Sequence, residues 1–178
     1  IVGSGTRTRD VGGCPAWMDR RRLDPRRQLV GAQCSGALIL ARLGLLQDVP
    51  ACTDLTTRPW VQEAGVQVLE QPFVARGNVA TAGGCLAAPY LAAWVIARTD
   101  GPEAAAAALR YVAPVGEKDR YVAHAMGTIT QYLEEGGAGA RARAARPASP
   151  CPWSAAVASG CMGCPRPTEA AGVSAGAA

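Results

Sequence analysis

A chain of 178 residues, 49% hydrophobic and 18% charged, has room for one domain with a full core, and its apolar fraction is that of a folded protein. The net charge of +4 does not mark a nucleic-acid binder: most of it falls after residue 135, and the cluster Arg20, Arg21, Arg22, Arg26, Arg27 has no interleaved aromatic residues for base stacking. Seven cysteines, odd in number and irregular in spacing, exclude a small disulfide scaffold and point to a reducing, cytoplasmic setting.

In chain order, Ile1-Val2 reads as the end of a buried strand and Gly3-Ser4-Gly5 as a loop able to present backbone N–H groups inward. Thr8 stands where a dinucleotide-binding G-x-G-x-x-G would need its third glycine, so no nicotinamide cofactor is expected. Thr6 to Leu23 is a polar connection with a short helix around Trp17, and Asp24-Pro25 can start a helix covering the next strand. That strand ends at Cys34, where the chain turns into a helix over Ser35 to Leu43, stopped by Gly44 in a left-handed cap. Val49 to Cys52 is a short strand, and Thr53 or Asp54 can cap a helix through Trp60 to Ala64.

Val66 to Leu69 and Phe73 to Ala75 are expected to pair, with a turn at Arg76-Gly77-Asn78 and a further strand over Val79 to Thr81. Helices follow over Leu86 to Ala97, Pro102 to Tyr111 and Lys118 to Leu133. The uncharged stretch Val79 to Ala97 approaches the length of a membrane span, but Gly83, Gly84 and Pro89 interrupt it with turn chemistry, so no membrane association is expected. Strands alternating with helices predict an α/β fold whose mostly parallel sheet is covered on both faces. From Gly136 onward the composition collapses to alanine, glycine, proline, serine and arginine, so the expected division is a domain over 1–135 and a disordered low-complexity tail over 136–178. Cys161-Met162-Gly163-Cys164 has the spacing of redox and zinc sites but no strand-helix context, and no metal is expected.

The segment with chemistry in it is Ala32-Gln33-Cys34-Ser35-Gly36. Small residues two before and two after a nucleophile permit the strained strand-to-helix turn known as a nucleophile elbow. A thiol at a helix start also feels the positive end of the helix dipole, which favours thiolate. The alternative is a small buried core cysteine.

Three segments carry a resemblance: Ile1-Val2-Gly3-Ser4-Gly5, then Ala32 to Ala37 with Leu40-Ala41 and Gly44-Leu45-Leu46, then Gly77 to Gly84. In them, residues 1 to about 133 resemble the ThiJ/PfpI superfamily, of class I glutamine-amidotransferase-like type, nearest its isocyanide hydratase and regulator-associated branch. The resemblance implies a flavodoxin-like three-layer sandwich lacking its first strand-helix unit, and a homodimer. It implies Cys34 as nucleophile, with Gly3, Ser4, Gly5 and Ser35 lining an oxyanion pocket. Ser35 and Asp54 occupy the two places where members of the superfamily carry a histidine. The only histidine, His124, falls on a C-terminal amphipathic helix and reads as a surface or packing residue.

The expected function is therefore cysteine-dependent hydration or hydrolysis of a small electrophile such as an isocyanide, without a cofactor. Cys34 would attack, an upstream carboxyl would shuttle the proton, and Asp54 would orient the site or cap the following helix. A non-catalytic regulatory module is the alternative. A redox sensor is another, with Cys34 oxidised and Cys52 or Cys85 near enough to resolve it.

Overall fold

Short runs of small and β-branched residues form the sheet around which the chain is built. The computed structural model describes residues 1–14, 16 and 22–133. Strands β1 (Val30–Gln33), β2 (Phe73–Arg76) and β3 (Val79–Ala82) lie in the order β1-β3-β2. β1 runs parallel to β3 with Val30 opposite Val79 and Gln33 opposite Ala82, whereas β2 is antiparallel to β3 with Arg76 opposite Val79. Val2 adds one parallel bridge to Ala32 on the free side of β1.

The sheet is thus mixed, and one expected pairing is wrong. Phe73–Arg76 pairs across the two-residue Gly77-Asn78 turn with β3, not with Val66 to Leu69. A tight turn with Gly77 at φ +58° closes a local hairpin more cheaply than a longer loop closes a distant pair. The upstream segment instead makes a single parallel bridge, Val68 to Ala51.

Alternation along the strands divides the core into two. On one face Ala75, Ala80 and Ala82 pack with Phe73 against α4 (Ala88–Asp100), α5 (Pro102–Val112) and α6 (Lys118–Thr130), which contribute Leu91, Trp94, Leu109 and Ile129. On the other, Val30, Ala32 and Val79 meet Leu38 and Leu40 of α2 (Ala37–Arg42) and Val61 of α3 (Arg58–Glu63). Helix, sheet and helix therefore form three layers, with alanine on the sheet letting the helices approach. No helix among the described residues is long and apolar enough to cross a membrane.

Two local expectations meet different fates. Gly44, at φ +73°, ends α2 as the sequence suggested: its N–H donates to Ala41 O and that of Leu45 to Leu40 O, both at 3.0 Å. Asp24-Pro25 forms a turn and not a helix, because Asp24 O accepts the N–H groups of Arg27 and Gln28 while its carboxylate accepts that of Arg26. A short helix, α1, occupies Thr8–Gly12. The helix expected around Trp17 and the tail over 136–178 lie outside the described residues.

Candidate active site

β1 delivers Cys34 to the carboxyl end of the parallel strands, the edge at which open α/β sheets present their chemistry. Gln33 is extended at φ −118°, and Cys34 then swings to φ +55°, the one positive φ among the described non-glycine residues. A side chain in this left-handed region costs on the order of 1–2 kcal/mol, and such strain collects at functional sites. Cys34–Gly36 forms a single 3₁₀ turn that feeds directly into α2.

Gly36 permits the turn to fit beneath the N-terminal segment. A β-carbon there would stand 2.4 Å from Val2 O and 2.9 Å from Gly3 O. The N-terminal segment consequently arches over the elbow, the neighbourhood that the resemblance implied for Gly3, Ser4 and Gly5. The N–H of Gly5 is already engaged, however, donating to Ser35 Oγ at 3.2 Å, and Ser35 Oγ also pairs with Thr8 Oγ1 at 3.0 Å.

The thiol of Cys34 donates to Asp54 Oδ2 at 3.3 Å. The second oxygen of the same carboxylate, Oδ1, accepts the backbone N–H groups of Thr56 and Thr57, each at 3.0 Å. Asp54 therefore touches the cysteine through one oxygen and braces the turn over Thr56 and Thr57 through the other, while the helix that follows begins at Arg58 with Thr57, not Asp54, at its N-cap. Thr53 completes the clamp by donating its hydroxyl to Cys34 O at 3.0 Å.

Protonation follows from these contacts. Cys34 is only 7% exposed, and its pKa is pushed up to about 11 by burial, then by the hydrogen bond to Asp54, the charge of Asp54 and that of Cys85. The Ser35 N–H opposes this and is outweighed. For Asp54, burial pushes the carboxyl up, but hydrogen bonds from the Thr57 hydroxyl, the Cys34 thiol and the Thr57 N–H outweigh it and hold the group below the usual carboxylate range. The resting pair is a neutral thiol on an ionised carboxylate. The thiolate anticipated from a helix start is not the ground state, because a three-residue 3₁₀ turn offers little dipole and the neighbouring charge is negative.

Two clefts open on neighbouring segments, neither of them lined by Cys34 or Asp54 itself. One of about 260 Å³ is lined by Thr53, Leu55, Arg58, Glu70 and Gly83, with Arg58 paired to Glu70 at 3.2 Å. The other, about 640 Å³ and largely apolar, runs past Gly3 to Gly5 with Val11, Ile39 and Leu43. No group of three or more His, Cys, Asp or Glu side chains suited to a metal ion is found among the described residues. His124 is on the surface of α6 beside Tyr90, their ring centroids 6.2 Å apart.

Thr53 reads in the sequence only as a helix cap, and the parts played by Thr57 and Thr81 are not legible there. Thr81 is fully buried on β3 and accepts the N–H of Cys52 at 2.8 Å, holding the strand end that leads to Asp54. Threonine in a strand is unremarkable by composition, and only the crossing of two chain segments gives it this role.

No protein-family profile and no curated protein sequence matches the chain. Among solved structures, a THiJ/PfpI family protein from Pseudomonas syringae matches with a TM-score of 0.51 at 21% identity, over 75% of this chain and 60% of that one. Schizosaccharomyces pombe DJ-1 matches over 71% of this chain and 56% of its own, at 17% identity and a TM-score of 0.36. The Pseudomonas protein shares the α/β fold of this chain, which spans 60% of its length.

Proposed function

We propose that the chain is a cysteine-dependent enzyme of the ThiJ/PfpI superfamily, with the flavodoxin-like architecture of that group, and that it hydrates a small electrophile, an isocyanide being the concrete case. The observation that carries this is the Cys34 thiol, held at a left-handed elbow and donating to an ionised Asp54. Sulfur attacks the terminal isocyanide carbon as its proton passes to Asp54, and Asp54 returns that proton to the carbon to give a thioimidate. Water then adds to the thioimidate carbon, and the C–S bond breaks to release the N-formamide and restore the thiol. The Ser35 N–H, close enough to the sulfur to lower its pKa, is placed to steady charge developing there.

Asp54 supplies from within this chain the carboxylate that the sequence resemblance placed upstream. The proposal retains the small-molecule substrate, the homodimer and the cytoplasmic setting; the free thiols of Cys14, Cys34, Cys52 and Cys85 support the last. The test is formamide production from small isocyanides, with α-oxoaldehydes as competing substrates. Cys34→Ala should abolish turnover, and turnover that survives it overturns the proposal.

A further inference from the structure

A second thiol stands beside the elbow. β1 and β3 are parallel up to Gln33 and Ala82, and past that last rung the Gln33 side-chain amide donates to Gly84 O, tying the 83–85 loop to the elbow. Cys34 and Cys85 are the next residues beyond those two anchors, and each begins a one-turn 3₁₀ helix. Gly84, at φ +79° with open space where a β-carbon would be, leaves the loop free to adjust. The electrostatic coupling between the two thiols, which raises Cys34, agrees with this proximity.

Their environments differ. Cys85 is exposed, whereas Cys34 is nearly buried with its proton held against Asp54. Cys52 is fully buried in the core, with its thiol pushed up to about 12 by burial. Cys14 is exposed as well but lies on the N-terminal segment, so of the thiols around the elbow an oxidant in solution reaches Cys85 before Cys34 or Cys52.

We propose that Cys85 is a modification site for peroxide-class oxidants and that Cys34 resolves the oxidised product into a Cys34–Cys85 disulfide, which occupies the nucleophile and stops turnover. The Cys85 thiolate attacks one peroxide oxygen, the O–O bond breaks, and hydroxide leaves, giving a sulfenic acid. Cys34 then passes its proton to Asp54 and attacks the Cys85 sulfur; the S–S bond forms, the S–O bond breaks, and the departing hydroxide takes the proton as water. Two thiols lose two electrons in total, and one peroxide becomes two waters. The order departs from the redox role expected from the sequence, in which Cys34 is oxidised first.

The bond is read by mass and needs no turnover, so its failure and that of the hydration proposal are distinguishable. The full chain is treated with a small excess of hydrogen peroxide at neutral pH, blocked with an alkylating reagent and digested with trypsin without reduction. Expected is a linked pair of the peptides spanning 28–42 and 77–98, lost on reduction, in a chain that migrates as a monomer on a non-reducing gel. In Cys34→Ser, Cys85 should accumulate as a sulfenic acid trapped by dimedone; in Cys85→Ser, Cys34 should stay reduced at the same dose. Linkage of either peptide to the one carrying Cys52, an intermolecular bond, or oxidation of Cys34 at an undiminished rate in Cys85→Ser overturns the proposal.

Discussion

Gly36 lies directly under the carbonyl of Val2: a β-carbon on it would reach within 2.4 Å of that oxygen. The clash is with backbone on both sides, at Val2 and Gly3, so no side-chain rotation relieves it. Gly36→Ala should destabilise the fold by about 1–3 kcal/mol, the usual range for overpacking. Gly127, on the exposed face of α6 with open space around it, should respond oppositely, Gly127→Ala stabilising by about 0.5–1 kcal/mol. Urea unfolding of the two variants checks both signs.

Asp54→Asn should separate reactivity from catalysis. Asparagine can still accept the Thr56 and Thr57 N–H groups through its one oxygen, but it turns an N–H donor toward the sulfur and carries neither the charge that raises Cys34 nor the basicity to take its proton. The Cys34 pKa should fall from about 11, and each unit raises the thiolate fraction at pH 8 about tenfold. Alkylation of Cys34 by iodoacetamide should therefore accelerate while isocyanide turnover collapses. Parallel loss of both would show that the carboxylate acts only through the fold.

The same carboxylate shapes stability at acid pH. Its folded-state pKa is depressed, so the unfolded chain binds the proton more readily. The stabilisation is present above the ordinary carboxylate range and is lost as pH falls through the lower, folded-state pKa. Melting temperatures from pH 7 downward should drop less steeply in Asp54→Asn than in the parent. An identical acid limb would contradict the pairing.

Thr81→Val keeps the shape of the side chain but leaves the buried Cys52 N–H without its acceptor. A cost of about 1–3 kcal/mol is expected, with Thr81→Ser recovering most of it. Equal stability of Val and Thr in denaturant unfolding would mean that the amide finds another partner.

His124→Ala should leave turnover unchanged within error. The ring lies on the surface of α6 against Tyr90, on a helix that packs with the Phe73 and Trp94 core. A lost reaction in a still-folded variant would reassign the base.

What the sequence showed, and what it hid, divides along range. Gly44 and the Gly77 turn were legible because a left-handed cap and a tight hairpin are written in neighbouring residues. The three C-terminal helices were legible from their apolar spacing. The partner of β2 was not, because Val66 to Leu69 and Val79 to Ala82 are equally plausible strands until the turn decides. At the site, Cys34 stood out through its small neighbours, and Asp54 only through resemblance. The protonation of Cys34 is not legible in the sequence, because helix position is local, whereas burial and a carboxylate 20 residues away are not.

The dihedral of Cys34 also bears on how this chain can change over generations. At φ +55° every side chain except glycine is penalised, and a drifting position would relax toward glycine without disturbing the turn. Under the proposed chemistry, the demand for a thiol at this position offsets a backbone cost of about 1–2 kcal/mol. A lineage freed of that demand should show it first at position 34, before any change in the surrounding core.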